Sequence, residues 1–469
     1  MDNVQLFMKR LFGTDGMRGA AGLFPLDAAT VRTVGASLAR HLAAQTGRTP
    51  RLVVGRDTRE SGAWLAAALT EGARAAGAQV ESAGVITTPG VAYLARALPA
   101  DAGLVISASH NPYQDNGIKI FAPTGRKLDD ATERLIEADI YAARAGADAA
   151  THAPHADAPP QAGAAHADER AAALRAHYLD YLADEVGAGL RLDELRLVVD
   201  CANGAASHLA PSLFARLGAE VTAVGNAPDG RNINRECGSL YVERLREHVL
   251  ATSAHLGVAF DGDADRALFV DARGEVVDGD ATLWVMAQHL AARGALAHNL
   301  VVATVMSNIG LELALRDRGV ELRRTDVGDK YVLEELLRTG ASLGGEQSGH
   351  IIFPRLSLAG DGLLTTLCLL RAMRERAQPL HELTAGFMRY PQILVNVRVG
   401  EKRPFAEVPE IDRQARATEA QLAGAGRLLL RYSGTEPLAR VMIEGRQQDE
   451  IERLAHTLAD TIRAALGAE

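Results

Sequence analysis

The stretch RLVVDCANGAASHLAPSLFARLGAEVTAV, residues 196–224, decides how the chain is read. RLVVD (196–200) is a short apolar, β-branched run, a helical stretch continues to about Gly218, and AEVTAV (219–224) is a second strand-like run. Strand and helix alternating in this way build a mostly parallel sheet. LGVAF (256–260) continues the unit, and the acidic run DGDADR (261–266) follows it at once, with ALFVD (267–271) on its far side.

The same rhythm extends in both directions. Towards the N-terminus, a helix is expected from Asp27 to about Gln45, with Val31, Val34, Leu38 and Leu42 on one stripe and Asp27 as its N-cap. RLVVG (51–55), a helix from near Ser61 and the strand AGLVIS (102–107) complete that round. Towards the C-terminus, a third round starts near Asp278, with NLVVATVMS (299–307), a helix over 309–318 and a strand near 341–345. Past Pro379 and Pro391 the pattern changes to ILVNVRV (393–399), a helix over about 407–421, RLLLRYS (427–433), ARVMIEG (439–445) and a final helix. Residues 145–169, AGADAATHAPHADAPPQAGAAHADE, have no apolar period beyond alanine and read as an exposed linker.

The fold class expected is α/β, with three similar mixed α/β domains and largely parallel sheets, plus a smaller C-terminal α+β domain, arranged around a central cleft. The boundaries expected are 1–145, a linker at 146–168, 169–268, 269–382 and 386–469. Three or four domains suit 469 residues, more than one hydrophobic core serves. Hydrophobic residues at 47% and charged residues at 23% indicate a folded globular chain. The net charge of −9 argues against a nucleic-acid surface, which needs clustered Lys and Arg. Cys201, Cys237 and Cys368 are odd in number, scattered and without a C-x-x-C pair, which suits a reducing compartment. Lys9 and Arg10 interrupt the N-terminus before any long apolar run, and no stretch approaches eighteen apolar residues, so neither signal peptide nor membrane span is expected. A cytoplasmic location follows as the expectation.

Four loops carry chemistry. SASHNPYQDNGIK (107–119) follows a strand and brings two serines, a histidine and a lysine into one turn-forming stretch, suited to nucleophilic chemistry. No G-x-S-x-G elbow surrounds the serine, which weakens an esterase reading. In DGDADR, an extended backbone would project Asp261, Asp263 and Asp265 to one side, a hard-oxygen set for magnesium or manganese. An EF-hand needs Gly and Glu where Arg266 and Ala272 stand, and helices where strands flank. LGGEQSGHIIF (343–353) sets Glu346, Ser348 and His350 among three glycines, offering a carboxylate and a hydroxyl to sugar hydroxyls. RYSGTEP (431–437) offers Arg431, the hydroxyls of Ser433 and Thr435, and the amide of Gly434 to phosphate, and it is not a Walker A loop. Ordinary turns account for three of these loops taken singly, and an ion-free acidic turn for the fourth. Ligands of open α/β sheets sit beyond the carboxyl ends of strands, which is where these loops fall.

In this order, and together with FGTDGMRG (12–19), the four loops resemble the α-D-phosphohexomutase family over nearly the whole chain. The resemblance implies that Ser109 carries the phosphoryl group and that Ser109, Asp261, Asp263 and Asp265 hold one Mg2+ per subunit. It implies Arg18 and Arg266 at the phosphoserine, and Lys119 and His350 as candidates for proton transfer, neither ranked above the other. Glu346 and Ser348 would grip sugar hydroxyls, and Arg431, Ser433, Gly434 and Thr435 the phosphate that is not reacting. RTDVGDKYV (324–332) resembles the family's V-G-D-R-Y-V segment, with Lys330, a substrate-binding candidate, where arginine is usual. A bidentate contact is lost by that exchange. The form GEQSGH is similar to that of the branch acting on glucosamine phosphate, whereas glucose and mannose phosphate mutases, the alternative, more often show GEMSGH. The implied reaction moves a phosphoryl group between the 1 and 6 positions through a hexose 1,6-bisphosphate, with closure about residues 380–390. The partners implied are a hexosamine phosphate, neither nucleic acid nor membrane, and by analogy a second copy of the chain. A sensor without catalysis and a phosphatase are the readings from other classes.

Overall fold

A computed structural model describes residues 10–147, 164–422, 424–433 and 436–467. Its strands in the first half are β1 (Phe12–Gly13), β2 (Gly16–Ala20), β3 (Arg51–Arg56), β4 (Gln79–Val85), β5 (Ala102–Ile106) and β6 (Asp115–Phe121), in the sheet order β1-β2-β6-β5-β3-β4. The β3–β4 and β3–β5 pairs are parallel, while β6 runs antiparallel to both β5 and β2. The next sheet has β7 (Arg196–Asp200), β8 (Glu220–Val224), β9 (Leu256–Phe260), β10 (Ala267–Asp271) and β11 (Val276–Val277), in the order β11-β10-β9-β7-β8. Here too the core pairs, β7 with β8 and with β9, are parallel.

The first helix, Ala28–Thr46, shows why the sequence periods were readable. The Asp27 carboxylate accepts from the Thr30 amide at 2.9 Å, satisfying one of the free donors of a helix start. Val31, Val34, Leu38 and Leu42 are all buried, each contributing roughly 1.5–3 kcal/mol of transfer free energy. Helices Asp130–Ala147 and Ala164–Asp180 flank the stretch expected as a linker, in line with the helix propensity of alanine; residues 148–163 lie outside the described residues.

The contacts divide the chain into two units, one of Met1–His298 and Gly328–Thr384, the other of Asn299–Val327 and Ala385–Glu469. The first unit also contains β14 (Gly344–Gly345) and β15 (Ile351–Ile352), an antiparallel pair around GEQSGH. The second contains the parallel pair β12 (Leu300–Thr304) and β13 (Glu321–Thr325), with the sheet β16 (Gln392–Arg398), β18 (Leu438–Glu444) and β17 (Arg427–Tyr432), in which β18 is central and antiparallel to both neighbours. Residues 299–327 pack in this unit with the C-terminal residues. Asn308 explains it: its side chain donates to Tyr390 O at 3.0 Å and to Glu444 at 3.2 Å, and accepts from the Tyr390 amide at 2.9 Å. Buried polar groups that satisfy one another in this way bind segments firmly.

Candidate active site

Ser109 sits just beyond β5, buried, with φ of 53°, a left-handed backbone that few non-glycine residues adopt. What holds it there is a buried guanidinium. Arg59 donates to Ser109 O at 2.9 Å, Asn111 O at 2.8 Å and Asp115 O at 3.0 Å, and also to Pro112 O. Asp57 fixes Arg59 at 2.9 Å and accepts from the Ser107 hydroxyl at 2.7 Å, which in turn accepts from the Ser109 amide at 3.0 Å. From the other side, the Asn234 amide group donates to Ser109 O at 2.9 Å and Asn111 O at 3.0 Å.

The serine hydroxyl donates to Asp261 Oδ2 at 2.5 Å. Asp261, Asp263 and Asp265 are all buried, with one oxygen of each within 4.8 Å of the others. They converge from a turn, not from the extended run expected. Ala264 has φ of 56° and the Ala264 amide bonds back to Asp261 O at 3.0 Å, because curling inward brings the three oxygens closer than alternate strand positions would. At Gly262 a Cβ would lie 2.6 Å from Ser109 O, so only glycine lets this turn approach Ser109. Oδ1 of Asp263 and of Asp265 are buried without a hydrogen-bond partner. Burial, then the neighbouring Asp265 and Asp263, push the Asp261 carboxyl well above its ordinary pKa. Hard oxygens, unpartnered and mutually repelling, fit a divalent cation.

Lys119, expected within the loop, instead stands on β6, which pairs with β2 from Asp115 and with β5 from Ile118. Its ammonium lies 2.9 Å from Asp263, 3.2 Å from Asp265 and 3.1 Å from Asp15. Burial alone would lower its pKa, but those carboxylates hold it well above the ordinary value. The depressed value a lysine base requires is therefore absent. Asp263 is further oriented by the Thr88 hydroxyl at 2.5 Å.

Arg18 reaches Asn111 Oδ1 at 3.4 Å and pairs with Asp15, and Arg266 stands 3.8 Å from Asp265. The Nε atoms of both are buried without a hydrogen-bond partner, donors suited to an anion. His110 Nδ1 is 3.3 Å from the Ser109 hydroxyl; burial, Arg266 and Arg18 push its pKa down to about 4, so it stays neutral at pH 7. His350 turns Nδ1 towards Asp265 at 3.7 Å, while its Nε2 accepts from the Gly360 amide at 3.1 Å. Burial opposes charge on this ring, yet Asp265, Asp329 and Glu346 raise its pKa to about 9. The Gly360 amide opposes that second proton, since it would face a protonated Nε2. The geometry favours the ring with its proton on Nδ1. Glu346 accepts from the Gly328 amide at 3.1 Å, and the Ser348 hydroxyl is buried without a partner. Lys330 is drawn away onto Asp130.

In the second unit, Arg431 on β17 lies directly across from Arg440 on β18. Like charges so placed repel, and the Nε of Arg440 is buried and unpartnered. Arg440 is 3.5 Å from the Ser433 hydroxyl, and Lys402 donates to Ser433 O at 2.6 Å. Gly434 and Thr435, the other members expected, lie outside the described residues. Sequence reading missed Asp15, Asp57, Arg59, Thr88, Asn234, Lys402 and Arg440. A charged RDTR immediately after a buried strand was the available signal for Asp57 and Arg59.

The comparisons with known proteins agree with this geometry. Family models described as phosphoglucomutase/phosphomannomutase match in four parts: alpha/beta/alpha domain I at residues 9–146, domain II at 176–274, domain III at 278–390 and the C-terminal domain at 394–461. The phosphoglucosamine mutase of Solibacter usitatus is 50% identical over 459 residues, covering 98% of this chain and 99% of that one. That of Symbiobacterium thermophilum is 47% identical, covering 98% and 100%. A phosphoglucomutase/phosphomannomutase family protein from Burkholderia thailandensis superposes with a TM-score of 0.75 at 27% identity, covering 97% of both chains. The N-acetylphosphoglucosamine mutase of Aspergillus fumigatus, solved with GlcNAc-6P and magnesium, shares the fold with a TM-score of 0.61 at 19% identity, covering 97% and 96%.

Proposed function

The chain belongs to the phosphoglucomutase/phosphomannomutase family, and from that membership we infer that it interconverts glucosamine 6-phosphate and glucosamine 1-phosphate, supplying amino sugar for cell-wall precursor synthesis. The observation that carries the chemistry is the Ser109 hydroxyl, 2.5 Å from Asp261 within a buried aspartate triplet. The substrate follows the relatives' names and the GEQSGH form.

In this reading Ser109 holds a phosphoryl group between turnovers, gives it to one hydroxyl of the sugar phosphate, and recovers the other phosphate from the resulting hexose 1,6-bisphosphate. Arg59 and Asn234 hold the nucleophile's loop in its left-handed turn, so the reacting oxygen needs no reorganisation. The free Nε donors of Arg18 and Arg266 neutralise charge on the transferring group. Asp261, Asp263, Asp265 and Ser109 would hold Mg2+, which supplies further charge neutralisation when bound. Lys119, kept charged by three carboxylates, suits stabilising negative charge on a reacting oxygen, not removing its proton. Glu346 and Ser348 bind sugar hydroxyls, and Arg431, Arg440 and Ser433 bind the phosphate that does not react. Lys330, committed to Asp130, binds no substrate until that pair opens. A cytoplasmic place and a homodimer belong to the same reading.

The decisive experiment incubates the protein with Mg2+, glucosamine 6-phosphate and a trace of glucose 1,6-bisphosphate, beside Ser109→Ala. Formation of glucosamine 1-phosphate by the parent alone is expected. Equal turnover by the variant removes Ser109 from the mechanism, and release of free phosphate in place of isomerised sugar makes the protein a phosphatase.

A further inference from the structure

Six ionisable side chains close a ring behind the reacting centre. Lys119 meets Asp15 at 3.1 Å, Asp15 meets Lys127 at 2.6 Å, and Lys127 meets Asp329 at 2.7 Å. Asp329 stands 3.7 Å from His350 Nε2, His350 Nδ1 stands 3.7 Å from Asp265, and Asp265 returns to Lys119 at 3.2 Å. The ring draws on three distant parts of the chain: residues 15–127, the acidic turn, and the segment carrying Asp329 and His350.

We propose that Lys127 is a positioning residue for the reacting centre, holding Asp15 and Asp329 at once so that Lys119 and His350 keep their places beside Asp265. All three ammonium donors are committed, to Asp15 Oδ1, to Asp329 Oδ1 at 2.8 Å and to Thr14 O at 3.2 Å, and the side chain is 19% exposed. The two acids differ in what remains to them without it. Asp15 keeps Lys119 and Arg18. The group left in reach of Asp329 is Nε2 of His350, at 3.7 Å. That nitrogen accepts from the Gly360 amide and carries no proton, so a carboxylate no longer held by Lys127 repels it and disturbs the ring's contacts with Gly360 and Asp265. The ring stands close against Gly360, where a Cβ would lie 2.3 Å from its Nε2. A displacement of the ring therefore reaches the reacting centre directly. Lys127, Asp329 and His350 also face a cavity of about 430 Å³, which leaves room for an uncharged side chain to replace the lysine without overpacking.

The test rests on the mutase reading for its kinetics and adds a readout that does not. Lys127→Met, Lys127→Arg and Asp329→Asn are compared with the parent for kcat and KM on glucosamine 6-phosphate. The ¹⁵N resonances of the His350 ring, assigned through His350→Gln, are recorded for each, and thermal melts certify folding. Lys127→Met and Asp329→Asn should lower kcat about 10- to 100-fold with KM within about twofold, the cost of misplaced reacting groups. Lys127→Arg should recover most of the loss, and the His350 resonances should move in Lys127→Met and Asp329→Asn only. A kcat within twofold of the parent in a folded variant, a loss carried by KM, or unmoved His350 resonances overturns the proposal. A parent inactive on glucosamine phosphate overturns the functional reading alone, and the resonances still decide the ring. If Lys127→Met does not fold, Lys127→Gln, which removes the ammonium but keeps a polar side chain facing the cavity, decides in its place.

Discussion

Replacing Arg59 by methionine should unpin the nucleophile's loop while leaving every residue of that loop in place. In the intact protein the guanidinium is fully buried, pairs with Asp57, and donates to the carbonyls of Ser109, Asn111, Pro112 and Asp115. Asn234 still serves Ser109 O and Asn111 O after the exchange, so those two losses are partial. Among the described residues Arg59 is the one ion-pair partner of Asp57, which is left alone in a fully buried site; burial already pushes its pKa up, and Arg59 is the main influence pulling it back. Breaking such a pair costs about 3–5 kcal/mol, limited here because Asp57 then takes up a proton. The expected loss is therefore about 4 kcal/mol, a large part of the 5–15 kcal/mol that typically holds a domain together. Urea unfolding followed by the fluorescence of Trp64, on the helix that begins at Gly62, measures it. Mass analysis after incubation with glucose 1,6-bisphosphate measures phosphorylation of Ser109. Arg59→Lys should recover part of the stability, since it keeps a charge for Asp57, but not the phosphorylation, since an ammonium cannot span four carbonyls. A methionine variant that loses under about 1 kcal/mol and is phosphorylated at the parent's rate would refute the pinning argument.

Other outcomes are expected on the same grounds. Mg2+ should raise the melting temperature in proportion to the logarithm of its concentration, and Asp263→Asn should abolish the shift if the triplet is the site. Arg440→Ala should raise KM at least tenfold with kcat little changed, as loss of uniform phosphate binding requires; an unchanged KM removes Arg440 from the phosphate group. Asp361, fully buried at the N-cap of the helix Gly362–Arg376, has its pKa raised to about 6, chiefly by burial. A raised carboxyl pKa means the folded state holds the proton more tightly, so this group's contribution is fully present below about pH 4 and is lost as pH rises through 6. Asp361→Asn should therefore gain about 3 kcal/mol relative to the parent between pH 4 and pH 7, read from denaturation curves at each pH; a constant difference would show that Asp361 does not titrate there.

Much of the fold could be read in advance because its signals are local. Asp27, the stripe Val31, Val34, Leu38 and Leu42, and the runs RLVVD and LGVAF each declare an element within a few residues, and each element forms where its period says. The aspartate triplet was legible for the same reason, although its backbone curls where an extended one was expected. Among the described residues no helix is long and apolar enough to cross a membrane, in line with the hydropathy of the sequence. What remained hidden depends on pairs far apart in the chain. Arg59 meets Ser109 across 50 residues, Lys119 meets Asp263 across 144, and Lys127 meets Asp329 across 202. Periodicity and propensity describe neighbours along the chain, so residue types alone announced a nucleophile and a cation site. Only the packing of distant segments decided that the Ser109 loop is pinned by Arg59, that Lys119 is surrounded by carboxylates, and that Lys127, outside every quoted motif, bridges Asp15 and Asp329. The physical reason is that a buried charge must find its partner in space, and spacing along the chain does not say which partner that will be.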